Sequence, residues 1–189
     1  MIGKIEATIL IGLSTVGGTF SESIVREMAR KVQRPIIFPL SNPTSKSEAK
    51  ADDLIRWTDG RALVATGSPF APVSYGGHTI PIAQCNNIFI FPAMGLGVVA
   101  SGARRVTDAM MLAAARALAV NSPALKDPSA SLLPPLTDIR RVAAQIAIAV
   151  GIEAQKEGLA PKLAEDELRQ RVTAAQWIPA YPSFAPAKM

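Results

Sequence analysis

A chain of 189 residues, 49% hydrophobic and 19% charged, is long enough to bury a core and too apolar to stay disordered. Its net charge of +5 comes from scattered groups, Arg30-Lys31, Arg104-Arg105, Arg140-Arg141 and Arg169 with Arg171, with no aromatics interleaved. These read as solvated faces and not as a platform for nucleic acid. One cysteine, Cys85, and one histidine, His78, leave no disulfide framework, no Cys-rich metal site and no His-based triad.

Ala7 to Ser14 is a short apolar run that reads as a strand buried on both faces, the parallel-sheet type. A turn with Gly17-Gly18 follows. Ile24, Val25, Met28, Ala29 and Val32 then mark one helix face, with Thr19 or Ser21 as N-cap. Pro35 to Leu40 is the second strand and stops in Ser41-Asn42-Pro43-Thr44, where Pro43 pushes Asn42 out of helical geometry. Ser45 to Trp57 is expected to be helical, with Leu54, Ile55 and Trp57 inward and Asp52-Asp53 outward. Arg61 to Thr66 is a third strand, closed by Gly67-Ser68-Pro69. This alternation predicts a parallel α/β sheet wound with helices.

Ala71 to Thr79 reads as a loop, and Ile80 to Ala83 as a short edge strand. Asn86 and Asn87 follow, directly before Ile-Phe-Ile-Phe. Amides beside such a run must cap something or face a ligand, because a buried amide without a partner costs a few kcal/mol, on the order of 2–7. Pro92 to Ala103 is expected as a helix buried nearly all round, and Ala109 to Val120 as another. The proline-rich stretch Asn121 to Pro135 is a loop. Thr137 to Glu157 is an amphipathic helix with Ile139, Val142, Ala143, Ile146, Ala149 and Val150 inward. Pro161 to Trp177 is a shorter helix, followed by an extended tail. The run Ile88 to Ala103 is too short and too broken by Pro and Gly to span a membrane. The first residues lack the regions of a signal peptide, so a cytoplasmic, reducing location is expected.

In open α/β sheets, ligands sit beyond the carboxyl ends of the strands. Three strand ends here carry small polar residues: Gly12 to Gly18, Leu40 to Thr44, and Ala65 to Pro69. Asn86-Asn87 make a fourth candidate. A rim of amides, hydroxyls and backbone N–H groups suits a polar ligand with ribose hydroxyls, amides or carboxylates. Tight-turn chemistry alone would select the same residue types. Gly95-Leu-Gly97-Val-Val-Ala100 has the letters of a dinucleotide fingerprint, but it falls inside the expected helix and lacks an acidic residue about twenty positions on. These glycines are therefore read as packing residues. Asp52-Asp53 and Glu165-Asp166-Glu167 belong to first helical turns. Cys85 has no basic partner and reads as a small apolar residue. Tyr75 and Lys46 are conceivable proton-transfer groups.

With LSNPT (40–44), ATGSPF (65–70) and QCNNIFIFPAMGLG (84–97) in this order, the chain resembles the C-terminal part of malic enzymes. The resemblance covers residues 8–120 and extends through the helical tail. It implies a partial Rossmann-like domain over residues 1–120 and a helical C-terminal extension over 121–189. It also implies oxidation of L-malate by NAD or NADP, followed by decarboxylation to pyruvate and CO2 with Mg2+ or Mn2+. On this resemblance Asn42, Asn86, Ser14, Gly17, Gly67 and Ser68 would meet the cofactor. Asn42, Asn86 and Asn87 would meet malate.

The family's general-acid tyrosine, base lysine, metal ligands and pyrophosphate turn lie upstream of the part resembled, and position 93 is Ala where the family often has Gly. The chain is thus expected to be a fragment, inactive alone, whose partners are the remaining half of the enzyme and further copies of itself. A malolactic-enzyme fragment and a non-catalytic binding or oligomerisation module are the alternative readings.

Overall fold

The computed structural model describes residue 5 and residues 7–181. The order of elements begins with β1 (Ile9–Gly12), α1 (Glu22–Lys31), β2 (Ile36–Pro39), α2 (Ala51–Trp57), β3 (Leu63–Thr66), the hairpin β4 (Val73–Tyr75) and β5 (His78–Ile80), and β6 (Ala83–Gln84). Four helices follow: α3 (Phe91–Ser101), α4 (Asp108–Ala119), α5 (Ile139–Lys156) and α6 (Glu165–Ala175). They fall into two compact units. One holds the chain up to Phe89 with Arg116–Val142, and the other holds Ile90–Ala115 with the chain from Ala143 onward.

The first unit is built on a four-stranded parallel sheet in the order β1-β2-β3-β6. Leu10 aligns with Ile37, and Ile37 with Val64, so these three share a face. Val25 and Met28 of α1 and Leu54 and Ile55 of α2 pack in the same core. Both crossovers advance one strand in the same direction, which puts α1 and α2 on one side of the sheet. Arg61, just before β3, donates to the carbonyls of Ala29, Val32 and Gln33 and so closes the end of α1.

The structure corrects several expectations. β1 is an edge strand and is not buried on both faces. Ile9 and Ile11 alternate with Leu10 and are 52% and 54% exposed. The segment 45–57 is not one helix: Thr44–Lys46 is a single 3-10 turn, and the α-helix begins only at Ala51. Where Ala71 to Thr79 is expected as a loop, Val73–Tyr75 pairs with His78–Ile80 in an antiparallel hairpin across Gly76-Gly77, both at positive φ. Two such residues are what a tight hairpin turn requires. The last strand sits at Ala83–Gln84 and does lie at the sheet edge.

In the second unit, Ala100, Ala147, Leu168 and Val172 form a buried cluster with Leu96, Ile148 and Ile152 against it. Helix α3 is not buried all round: Phe91, Gly95 and Val99 are exposed and lie on one face at spacings of four. Gly97 does pack closely. A Cβ there would meet the Ala147 carbonyl oxygen at 2.7 Å and Val150 Cβ at 2.9 Å. Gly95 does not, since a Cβ there would meet nothing within 4 Å. Asp52-Asp53 and Glu165-Asp166-Glu167 occupy first turns, as expected; Asp52 and Asp53 pair with Arg56, Glu165 with Arg169 and Glu167 with Arg171.

Candidate functional site

All four parallel strands end on one edge of the sheet, so the four polar segments share a rim. Its centre is Asn42, in a turn whose Asn42–Pro43 peptide is cis. Ser68 donates its hydroxyl to Asn42 Oδ1 at 2.5 Å, and Asn42 Nδ2 approaches the Leu40 carbonyl at 3.5 Å. Ser68 is itself buried, with its carbonyl held by Thr66 Oγ1 at 2.8 Å. The exposed amide of Asn42 therefore stands on a buried support.

Gly67 makes that approach possible. A Cβ on it would lie 2.1 Å from the Leu40 carbonyl oxygen and 3.1 Å from Asn42 Nδ2. Gly17 does the same for the neighbouring loop, where a Cβ would lie 2.9 Å from the Ser45 carbonyl oxygen. Both glycines let one strand-end loop touch the next.

The Ser14 loop and the Asn42 turn are joined by a residue that the sequence pattern conceals. Glu48 is 0% exposed. Its Oε1 accepts from Ser14 N and Ser14 Oγ, both at 2.8 Å, and from Ser41 Oγ at 2.5 Å. Its Oε2 accepts from Ser41 N at 3.3 Å. Ser41 Oγ in turn accepts from Thr15 N at 2.9 Å. Burial by itself would raise the carboxyl pKa, but the hydrogen bonds from Ser41 and Ser14 outweigh it and hold the group ionised, down at about 2. Gly12 makes room for this side chain, since a Cβ there would meet Glu48 Cδ at 2.5 Å. Glu48 lies between the 3-10 turn and the start of α2, where a continuous helix over 45–57 is expected from the sequence. The available signal was an acid between Ser47 and Ala49, close after the Asn42-Pro43 turn.

Asn86 lies next along the rim. The backbone brings it there through Cys85 N donating to the Thr66 carbonyl at 2.8 Å and Gln84 Nε2 donating to the Gly67 carbonyl at 3.4 Å. Asn86 Oδ1 accepts from Ile88 N at 3.0 Å and so caps the 3-10 turn Asn87–Phe89. Asn87 is exposed. Of the two options the sequence left open, Asn86 takes the cap with its carbonyl oxygen. Its half-exposed amide group remains at the rim.

Other candidates separate from the rim. Tyr75 lies in the hairpin against the sheet core, its ring beside Gly60, among residues that precede β3. Lys46 is exposed on the 3-10 turn beside Thr44. Burial pushes the Cys85 thiol pKa up, which disfavours the thiolate. A cavity of about 780 Å³ lies at the opposite, amino ends of β2, β3 and β6, lined by Gln33, Arg34, Arg61 and His78 among others. Its two arginines already donate to backbone carbonyls, Arg34 to that of Pro128. No three His, Cys, Asp or Glu side chains cluster to hold a metal ion among the described residues. No helix among them is long and apolar enough to cross a membrane.

A parallel sheet wound with helices and ending in a polar rim defines the Rossmann-like class. Residues 1–155 match the family described as "Malic enzyme, NAD binding domain". The chain belongs to the malic enzyme family. It is 56% identical over 184 residues to an NAD-dependent malic enzyme of Edwardsiella ictaluri, covering 97% of this chain and 33% of that protein. An NAD-dependent malic enzyme of Pseudomonas savastanoi is 51% identical over 178 residues, covering 94% of this chain and 32% of that protein. Among solved structures, the malic enzyme of Pyrococcus horikoshii superposes with a TM-score of 0.69 at 28% identity, over 90% of this chain and 35% of that one. The Entamoeba histolytica malic enzyme gives 0.73 at 25% identity, over 93% and 34%. The chain spans about a third of the length of the curated relatives it matches.

Proposed function

We propose that this chain is the part of an NAD(P)-dependent malic enzyme that presents neutral polar contacts to the nicotinamide end of the dinucleotide and to L-malate. The whole enzyme would convert malate to pyruvate and CO2. The observation that carries this reading is the Asn42 amide, held outward at the strand ends by the buried Ser68 hydroxyl. An amide so placed hydrogen-bonds a carboxylate or hydroxyl without adding charge beside a hydride path. The bound dinucleotide supplies the hydride acceptor. Asn42, Asn86 and Asn87 orient malate against it, while Ser14, Gly17, Gly67 and Ser68 shape or support the cofactor wall. In the whole enzyme, Mg2+ or Mn2+ would be held by residues outside the part of the family that this chain resembles. The single half-buried thiol, Cys85, accords with a reducing, cytoplasmic setting.

The test is a fluorescence titration of the 189-residue chain with NADH, and with NADPH for comparison. Saturable binding is expected, weakened roughly tenfold by Asn42→Ala, the loss of about one hydrogen bond to a ligand. No malate-dependent formation of NADH is expected from the chain alone. Absence of NADH binding at millimolar concentration, or turnover by the isolated chain, overturns the corresponding half of the reading.

A further inference from the structure

We infer that Glu48 is a positioning residue for the dinucleotide site, acting as a fixed brace that sets the β1 turn and the Asn42 turn at one separation. The inference rests on the dinucleotide reading above and names a residue that does not itself touch the ligand. Glu48 is fully buried, and its carboxylate accepts four hydrogen bonds from Ser14 and Ser41. Those two residues lie two positions past the ends of different strands, β1 and β2, beyond the last backbone bond between them, Leu40 N to the Gly12 carbonyl.

The brace continues outward on both sides. Through Ser41 Oγ it fixes Thr15 N, and Thr15 stands at φ 57, in the left-handed region where a β-branched residue needs outside support. Through Ser41 it also fixes the residue that precedes Asn42. The far side of the Glu48 backbone is tied as well, its carbonyl accepting from Phe20 N at 3.0 Å. One carboxylate thus holds Ser14 and Ser41 directly, and through Ser41 it reaches Thr15 and, by one peptide, Asn42. A ligand spanning two strand ends needs those groups at a set spacing, because misplacing positioning groups by about 1 Å is enough to cost a large factor in function.

A carboxylate is required there and an amide does not replace it. Four donors converge on two acceptor oxygens, and the amide nitrogen of a glutamine would face the Ser41 N–H donor to donor.

The test compares the unaltered chain, Glu48→Gln, Ser41→Ala and the core truncation Met28→Ala. NADH affinity and thermal midpoint are measured for each, together with the Asn42 side-chain amide resonances by NMR. Glu48→Gln is expected to weaken NADH at least tenfold and to move the Asn42 amide resonances toward those of a solvated asparagine. Met28→Ala is expected to lower the midpoint comparably while leaving affinity within twofold. If Glu48→Gln does not fold, Ser41→Ala decides the matter, since it cuts the link to Thr15 while leaving Ser14 on the carboxylate; a several-fold loss of affinity is expected. NADH affinity within twofold of the unaltered chain in the folded Glu48→Gln protein, or in Ser41→Ala where that stands in, overturns this inference alone. No NADH binding by the unaltered chain overturns the dinucleotide reading and this inference with it.

Discussion

A methyl group on Gly67 would sit 2.1 Å from the Leu40 carbonyl oxygen, well inside contact distance, and backbone on both sides leaves little to yield. Gly67→Ala is therefore expected to lower stability by about 3 kcal/mol, at the upper end of overpacking effects, read as a shift in the urea midpoint. An unchanged midpoint would show that the loop has slack. Glu48 gives a second expectation, in pH. Its folded pKa of about 2 lies below the unfolded glutamate value of ~4.3, so its contribution is complete above the unfolded value and is lost as pH falls through about 2. That contribution is on the order of 3 kcal/mol. The stability difference between the unaltered chain and Glu48→Gln should narrow steadily below pH 4; a constant difference down to pH 2 would contradict the assignment. The small polar residues at the strand ends were legible in the sequence because they interrupt apolar runs. Glu48 was not, because one-dimensional spacing put it on a helix that starts three residues later.

At the scale of elements, the two glycines of α3 separate packing from propensity. Gly95→Ala adds a methyl group in open space within a helix and should raise stability by about 0.5–1 kcal/mol. Gly97→Ala drives the same methyl into Ala147 and Val150 and should lower it by about 1–3 kcal/mol. Equal effects of the two changes in thermal unfolding would contradict the packing described. The elements themselves were largely readable: β1, β2, β3, α1 and the later helices follow from apolar period and turn residues. Two things were not. Gly76-Gly77 are letters that a loop and a hairpin turn share, and only the strand formers of Val73-Ser-Tyr75 and His78-Thr-Ile80 on either side tell the two apart. The other is solvent exposure: an all-apolar run such as Ile9 to Leu13 or Phe91 to Val99 has no polar stripe to mark which face meets water.

At the scale of the molecule, exposure of those runs has a consequence for association. Ile9, Ile11, Leu13 and Val16 are each more than half exposed and lie on or just after β1, at the edge of the parallel sheet. An edge strand offers unpaired backbone groups, and here an aliphatic row runs along it, the combination that natural sheets break with charge or bulges. No Lys, Arg, Asp or Glu stands between Ala7 and Phe20 to serve that purpose. The chain alone is therefore expected to self-associate, with a sedimentation coefficient that rises with concentration. Ile11→Lys places a charge on the open face, opposite Phe38 in the register, and should shift the equilibrium toward monomer while the far-ultraviolet circular dichroism stays unchanged. The charge cannot act through the helical core, because Leu10 and Ile37, not Ile11, face α1 and α2. A monomer at every concentration for the unaltered chain, or association undiminished in Ile11→Lys, would place the contact on another surface than β1.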